Sequence, residues 1–151
     1  MQVDYQKGAA GSMERICLDR AGSGFIKRDS KREFLARGFN YDHDHAIRFM
    51  EDYWDAEWEK VERDFAEMKR MRANTVRVHP QLGLFMESPE RARPHMLDQL
   101  ARLVELAERT GLYLDITGAG CYRRKDVPEW LVQADEAVRW ETQANFWGAV
   151  A

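Results

Sequence analysis

Cysteine is nearly absent from this 151-residue chain: Cys17 and Cys121 are the only two. They stand far apart, in no CxxC and no Cys/His cluster, so they make neither a disulfide framework nor a zinc pattern and read as two reduced thiols. No apolar run approaches the ~20 residues that span a bilayer. The opening MQVDYQKGAAGSMERICLDR has no apolar core of a signal peptide. No membrane partner is therefore expected, and as written the chain reads as cytoplasmic. A large charge of one sign is missing too. The 23 Lys and Arg against 26 Asp and Glu leave −3, which gives no reason to expect a nucleic acid partner. With 44% hydrophobic and 32% charged residues, the chain is too apolar to stay disordered. Its length suits one domain.

The local patterns alternate between two periods. Residues 1–12, with Gly8, Gly11 and Ser12, read as a flexible lead-in to a domain over 13–151. Arg15–Leu18 and Phe25-Ile26 flank Ala21-Gly22-Ser23-Gly24, a β-hairpin signal. Asp29-Ser30-Lys31 makes a second turn, and a strand is expected from about Phe34 to Tyr41. From Asp55 to Arg72, Trp58, Val61, Phe65 and Met68 recur at steps of three and four, which predicts a helix with Asp55 as its N-cap. Asn74–His79 alternates as a strand, and 80–93 reads as a loop. Pro94 opens a second helix with a stripe of Leu97, Leu100, Leu103, Val104 and Ala107, and Gly111 stops it. Leu112–Thr117 is the next strand. A short helix follows Asp126 and Pro128, and a last one runs from about Asp135 to the end.

A β-hairpin followed by β-α-β-α-β-α predicts an α/β fold with parallel strands and helical crossovers. The strands start near Ala36, Asn74 and Leu112, 38 residues apart each time. That period fits a (β/α) barrel and also a doubly wound sheet. No GxGxxG follows the first strand, and Gly118-Ala119-Gly120 after the third lacks the remaining glycine. No cofactor is expected.

Several segments together carry a resemblance. They are Arg37-Gly38-Phe39-Asn40-Tyr41 after a hairpin, Phe65–Met71 leading into Ala73-Asn74-Thr75-Val76-Arg77-Val78-His79, Gly111–Thr117, Asp126–Leu131 and Gln143–Ala151. Over residues 13–151 the chain resembles the first part of family 5-type glycoside hydrolases, the cellulase and mannanase group. The resemblance implies the N-terminal three βα units of a TIM (β/α)8 barrel, preceded by a hairpin over the barrel bottom and ending before strand 4. It implies a retaining hydrolysis of O-glycosyl bonds in a β-linked glycan. The two catalytic glutamates of that family follow its fourth and seventh strands, so no catalytic residue is expected within 1–151, and this chain alone is expected to be inactive. Glu87 and Glu90 fall in a loop, and the helix glutamates are expected to face solvent. Arg77 matches an arginine that the family keeps near its nucleophile, although a structural ion pair with Asp115 is the other reading. His79 shares the strand parity of Arg77, and Asn40, Gln81 and Tyr122 fall on the same end of the strands, so these five form the expected substrate-binding set. Tyr122, Trp130 and Trp54 are aromatic faces able to stack on sugar rings. Where the family's third strand often ends on histidine, Thr117 and Gly118 stand here.

Two other classes compete. The His-x-His pair His43 and His45, after the first strand, resembles the metal-binding start of amidohydrolases, since alternate residues of an extended backbone point the same way; a solvated loop with no metal is the plainer reading. The other class is a non-catalytic barrel piece that assembles with another chain. Three strands leave a sheet edge open, and Phe65, Met68, Trp140, Phe146 and Trp147 are expected to lack part of their partners, so the isolated chain is expected to self-associate.

Overall fold

A computed structural model describes residues 13–118 and 120–151, so the expected lead-in over 1–12 and the middle residue of Gly118-Ala119-Gly120 lie outside the described residues. The chain divides into two compact units at Arg37 and Gly38.

The first unit is an antiparallel sheet of β1 (Ile16–Leu18), β2 (Phe25–Lys27) and β3 (Glu33–Phe34). Leu18 pairs with Phe25 across the hairpin, and Phe25 with Phe34. The turn forms because Asp19 accepts from the backbone N–H and the hydroxyl of Ser23, at 2.9 and 2.8 Å.

The second unit contains β4 (Gly38–Asn40), α1 (Met50–Tyr53), α2 (Trp58–Arg70), β5 (Thr75–Val78), α3 (Leu82–Phe85), β6 (Met86–Ser88), β7 (Arg91–Ala92), α4 (Pro94–Thr110), β8 (Tyr113–Ile116), a 3-10 turn at Arg124–Asp126, α5 (Glu129–Gln133) and α6 (Glu136–Val150). Strands β4, β5 and β8 form a parallel sheet in chain order. They start 37 and 38 residues apart, close to the expected period. Helices α2 and α4 make the crossovers and pack on each other.

The expected strand over 34–41 is two strands. Glu33-Phe34 pairs in the antiparallel sheet and Gly38–Asn40 in the parallel one, with 35–37 in neither. The hydrophobic alternation runs through both, so periodicity alone could not show the change of partner. Gly38 marks it: a Cβ there would sit 1.6 Å from the Thr75 carbonyl oxygen, so only glycine lets the backbones approach.

Alternation in β5 sets the layers. Val76 and Val78 are buried under the helices, and Arg77 between them is exposed on the other face. The stripe of α2, Trp58, Val61, Phe65 and Met68, is buried as the spacing predicts. Its expected cap is not used. The helix begins three residues later than Asp55, whose carboxylate instead meets His95 Nε2 and Gln99 Nε2 on α4. Helix α4 starts on Pro94 and stops at Gly111, where φ is +71° and the Leu112 N–H returns to the Ala107 carbonyl at 2.9 Å. Asp135 caps α6 by accepting from the Val138 N–H at 2.9 Å.

The segment 80–93 is not a plain loop. It holds α3 and the β6–β7 ribbon, and Leu82, Phe85 and Met86 enter the core. Phe85 stacks edge-on against Trp54 at 6.1 Å and Phe146 at 5.7 Å. Three residues expected to lack part of their partners, Phe65, Met68 and Phe146, are buried within this chain, while Trp140 is 69% exposed. Phe39, on the edge strand β4, keeps 41% exposure.

Replacing Gly38 with alanine is expected to destabilise the second unit by about 3 kcal/mol, the upper range for an overpacked site. Urea unfolding checks it. Gly118→Ala, where a Cβ would have nothing within 4 Å, should change stability little; equal effects of the two changes would contradict the close approach of β4 and β5.

Candidate functional site

The parallel register aligns side chains in rows. Asn40 pairs with Arg77, and Arg77 with Asp115. These three lie side by side on the sheet face away from the helices, one residue from the row of Phe39, Val76 and Leu114, of which Val76 is fully buried. Arg77 donates from Nε to Asp115 Oδ2 at 2.8 Å, with about half of each side chain exposed. The ion pair of the alternative reading is therefore formed, and it leaves both terminal guanidinium nitrogens without a hydrogen-bond partner among the described residues. Such a row offers a planar cation, a carboxylate and an amide to one ligand, a donor and acceptor set suited to hydroxyl-rich molecules.

Beyond the strand ends the loops supply a second cluster. His79 follows β5, and its Nδ1 meets the Thr117 hydroxyl, which also donates to the Val78 carbonyl at 3.2 Å. The His79 ring stands edge-on to Tyr122 at 5.8 Å. Tyr122 is 62% exposed and also meets Phe49 edge-on at 6.3 Å. Asn40, Arg77, His79 and Tyr122 therefore belong to the open face or the rim at its end.

Gln81 behaves differently. It is 2% exposed. Its Nε2 donates to the His79 carbonyl at 3.0 Å, and its Oε1 accepts the Tyr122 N–H at 3.1 Å. Both ends of the amide are used to tie the loops after β5 and β8, so Gln81 presents no free polar group to a ligand. Backbone bonds reinforce the tie, from the Leu82 N–H to the Gly120 carbonyl at 2.9 Å and from the Gly120 N–H to the Pro80 carbonyl at 2.7 Å.

Trp54 is not a stacking platform. It is fully buried in the core against Phe85. Trp130 is partly buried and packs on the core. Only Tyr122 of the three expected aromatic faces is open.

Two acidic residues that sequence reasoning missed complete the rim. Glu51, on α1, accepts the Gln81 backbone N–H at 3.0 Å. Burial of its carboxyl pushes its pKa up to about 7, against the opposing hydrogen bonds from its own N–H and that of Gln81. The carboxyl is thus turned inward, from a short helix that lies outside the one expected over 55–72. Next to it, Asp52 receives both terminal nitrogens of Arg123, one of them at 2.9 Å. Those hydrogen bonds outweigh burial and hold the Asp52 carboxyl below its ordinary value. The Arg123 guanidinium also reaches Asp126 and lies 4.1 Å from the Phe49 ring centre. The only sequence signal was the acidic pair after the first strand, which is common on any helix end.

His43 and His45 are both exposed. His43 Nδ1 is held by its neighbour Asp42 at 2.8 Å. Among the described residues no group of three or more His, Cys, Asp or Glu side chains comes together as a metal site. The loop is organised by Asp44, which accepts from the Ala46 and Arg48 N–H groups and from the Arg48 guanidinium. Cys17 and Cys121 are free thiols.

No protein-family model matches the chain, and no curated protein matches it in sequence. A solved structure does. An exo-beta-1,4-mannosidase from Opitutaceae bacterium strain TAV5 matches with a TM-score of 0.63 at 18% sequence identity. The match covers 86% of this chain and 23% of the mannosidase chain, so this chain spans less than a quarter of that enzyme's length. The likeness is one of fold. This mixed α/β chain with its parallel sheet shares the fold of part of that mannosidase.

Arg123→Ala should destabilise the protein at pH 7 by about 1–3 kcal/mol, since it strips charge-assisted bonds from Asp52 and Asp126. The depressed Asp52 pKa means that this stability is fully present above the ordinary carboxylate range and is lost as pH falls from that range through the lowered pKa of the folded state. Denaturant melts of both proteins at pH 7 and pH 3 test this; the gap between them should narrow at the lower pH.

Proposed function

We propose that this chain is the N-terminal three βα units of a (β/α)8-barrel glycoside hydrolase of the family 5 type, and that its polar sheet face lines the cleft for a β-linked glycan. The observation that carries the reading is the row Asn40, Arg77 and Asp115 on the open face of a parallel sheet in chain order, within a fold shared with part of a mannosidase. In a barrel that face turns inward and the strands' C-terminal ends form the active side.

In a retaining enzyme one carboxylic acid protonates the leaving oxygen, and a carboxylate about 5–5.5 Å away attacks the sugar carbon. By the family resemblance these groups follow the fourth and seventh strands, and residues 1–151 supply neither. What this chain supplies is one wall. Arg77, with its plane fixed by Asp115 on Nε, keeps its outer nitrogens for a nucleophile carboxylate or a sugar hydroxyl and favours the ionised form of that carboxylate. Asn40 adds an amide beside it. His79 and Tyr122 form the rim, where a ring edge and an imidazole meet sugar hydroxyls and apolar pyranose faces.

Amide NMR of residues 1–151 with β-1,4-mannobiose tests the reading. Shifts are expected at Asn40, Arg77 and Tyr122, with binding weakened roughly tenfold in Arg77→Ala, the loss of a charge-assisted contact. The same chain should release nothing from an aryl β-mannoside. Sugar-induced shifts confined to other surfaces, or hydrolysis by these 151 residues, would overturn the proposal. Zinc-induced shifts at His43 and His45 that vanish in His43→Ala would favour metal chemistry instead.

A further inference from the structure

We propose that Glu51 is the positioning residue of the rim: through Gln81 it locks together the segments that follow all three parallel strands, and it does so as a proton-dependent tie. The inference rests on the reading above only for what the rim binds.

Glu51 sits on α1, in the segment after β4. Its Oε1 accepts the Gln81 N–H, in the segment after β5, at 3.0 Å. Gln81 in turn accepts the Tyr122 N–H, in the segment after β8, at 3.1 Å and donates to the His79 carbonyl at 3.0 Å. One carboxyl therefore holds the backbone of the residue whose buried side-chain amide bonds the His79 carbonyl and the Tyr122 N–H. These loops run beyond the strand ladder, so side-chain bonds add to the few backbone bonds that remain, those of Gly120 with Pro80 and Leu82.

The tie depends on protonation because the carboxyl is withdrawn from water. The charged groups facing it are Asp52 on its own helix, whose negative charge opposes ionisation, and Arg123 from the segment after β8, which favours it. From the β5 segment the group that reaches it is the uncharged Gln81 N–H. Arg123 is itself engaged by Asp52 and Asp126. Burial prevails, and the group holds its proton up to about pH 7. Neutral Glu51 still accepts from Gln81 through its carbonyl oxygen. Ionised Glu51 places a charge in a poor solvent, and opening the rim returns it to water. The sign is fixed: closure is fully favoured below the ordinary glutamate pKa and weakens as pH rises towards 7, after which no further loss follows.

Hydrogen exchange of the Gln81, Gly120 and Tyr122 amides, corrected for the intrinsic pH dependence of exchange, measures rim opening directly. Between pH 5 and pH 8 their protection should fall roughly tenfold to a hundredfold in the natural chain, because each pKa unit is about tenfold. Protection of Val76 and Leu114, in the sheet, should stay level. In Glu51→Gln, which keeps an acceptor and cannot ionise, rim protection should no longer vary with pH. A flat profile in the natural chain overturns the proposal, as does an unchanged slope in Glu51→Gln. The outcome does not depend on sugar. If the rim switches but β-1,4-mannobiose shifts nothing there at pH 5, the tie stands and the glycan reading fails. If sugar binds with the same affinity at pH 5 and pH 8 while the exchange profile is flat, the reverse holds.

Discussion

Strand β5 pairs with β4 on one side and β8 on the other, and almost everything else in the second unit depends on that double pairing. Four residues do two jobs. Val76 and Val78 seal the helix layer, and Arg77 between them faces the open side. Side-chain alternation means that a register slip of one residue would drive the guanidinium into the apolar layer and expose two valines. Burial of the valines therefore determines where the arginine points. The same register sets Asn40 and Asp115 on either side of it, so the row that looks like a binding surface is a consequence of packing on the opposite face.

That coupling explains which parts of the molecule could be read from its sequence. Helices α2 and α4 were legible because a one-sided apolar stripe, Pro94 and Gly111 are local signals. So were β5 and β8, through alternation, and the Arg77–Asp115 pair followed as one of two readings once both strands were placed. The division of 34–41 into two strands was not legible, because alternation says which face a residue takes but not which strand it pairs with. Nor was the fate of 80–93. Its apolar residues are few and irregular, and they fold into α3 and a ribbon only because Trp54 and Phe146 offer surfaces to Phe85. The binding set divided in the same way. Arg77 and Asn40 face outward by strand parity. Gln81 and Trp54 carry no periodicity of their own, and tertiary contacts turned one into a loop tie and the other into core. Asp55 was diverted from capping by His95 and Gln99, 40 and 44 residues away, a choice that no local rule contains.

The open face and the rim are held by different physics. On the face, backbone ladders set side-chain positions, and these are insensitive to pH and costly to deform. At the rim the ladder thins to isolated bonds such as those of Gly120 with Pro80 and Leu82, and order is supplied by Gln81, Glu51 and the Asp52–Arg123 pair. Side-chain ties of this kind are specific but carry a cost, because a carboxyl close enough to hold a buried backbone N–H is also shielded from water. Glu51 meets that cost by keeping its proton, whereas Asp52 meets it by engaging Arg123. Two adjacent acids on one short helix thus have their pKa values moved in opposite directions, set by which partner each can reach. A ligand lying across both zones would meet a fixed row of hydrogen-bonding groups on the sheet and an adjustable edge above it. Contacts with the sheet would determine which ligand fits, and the state of the edge would determine how firmly it is held.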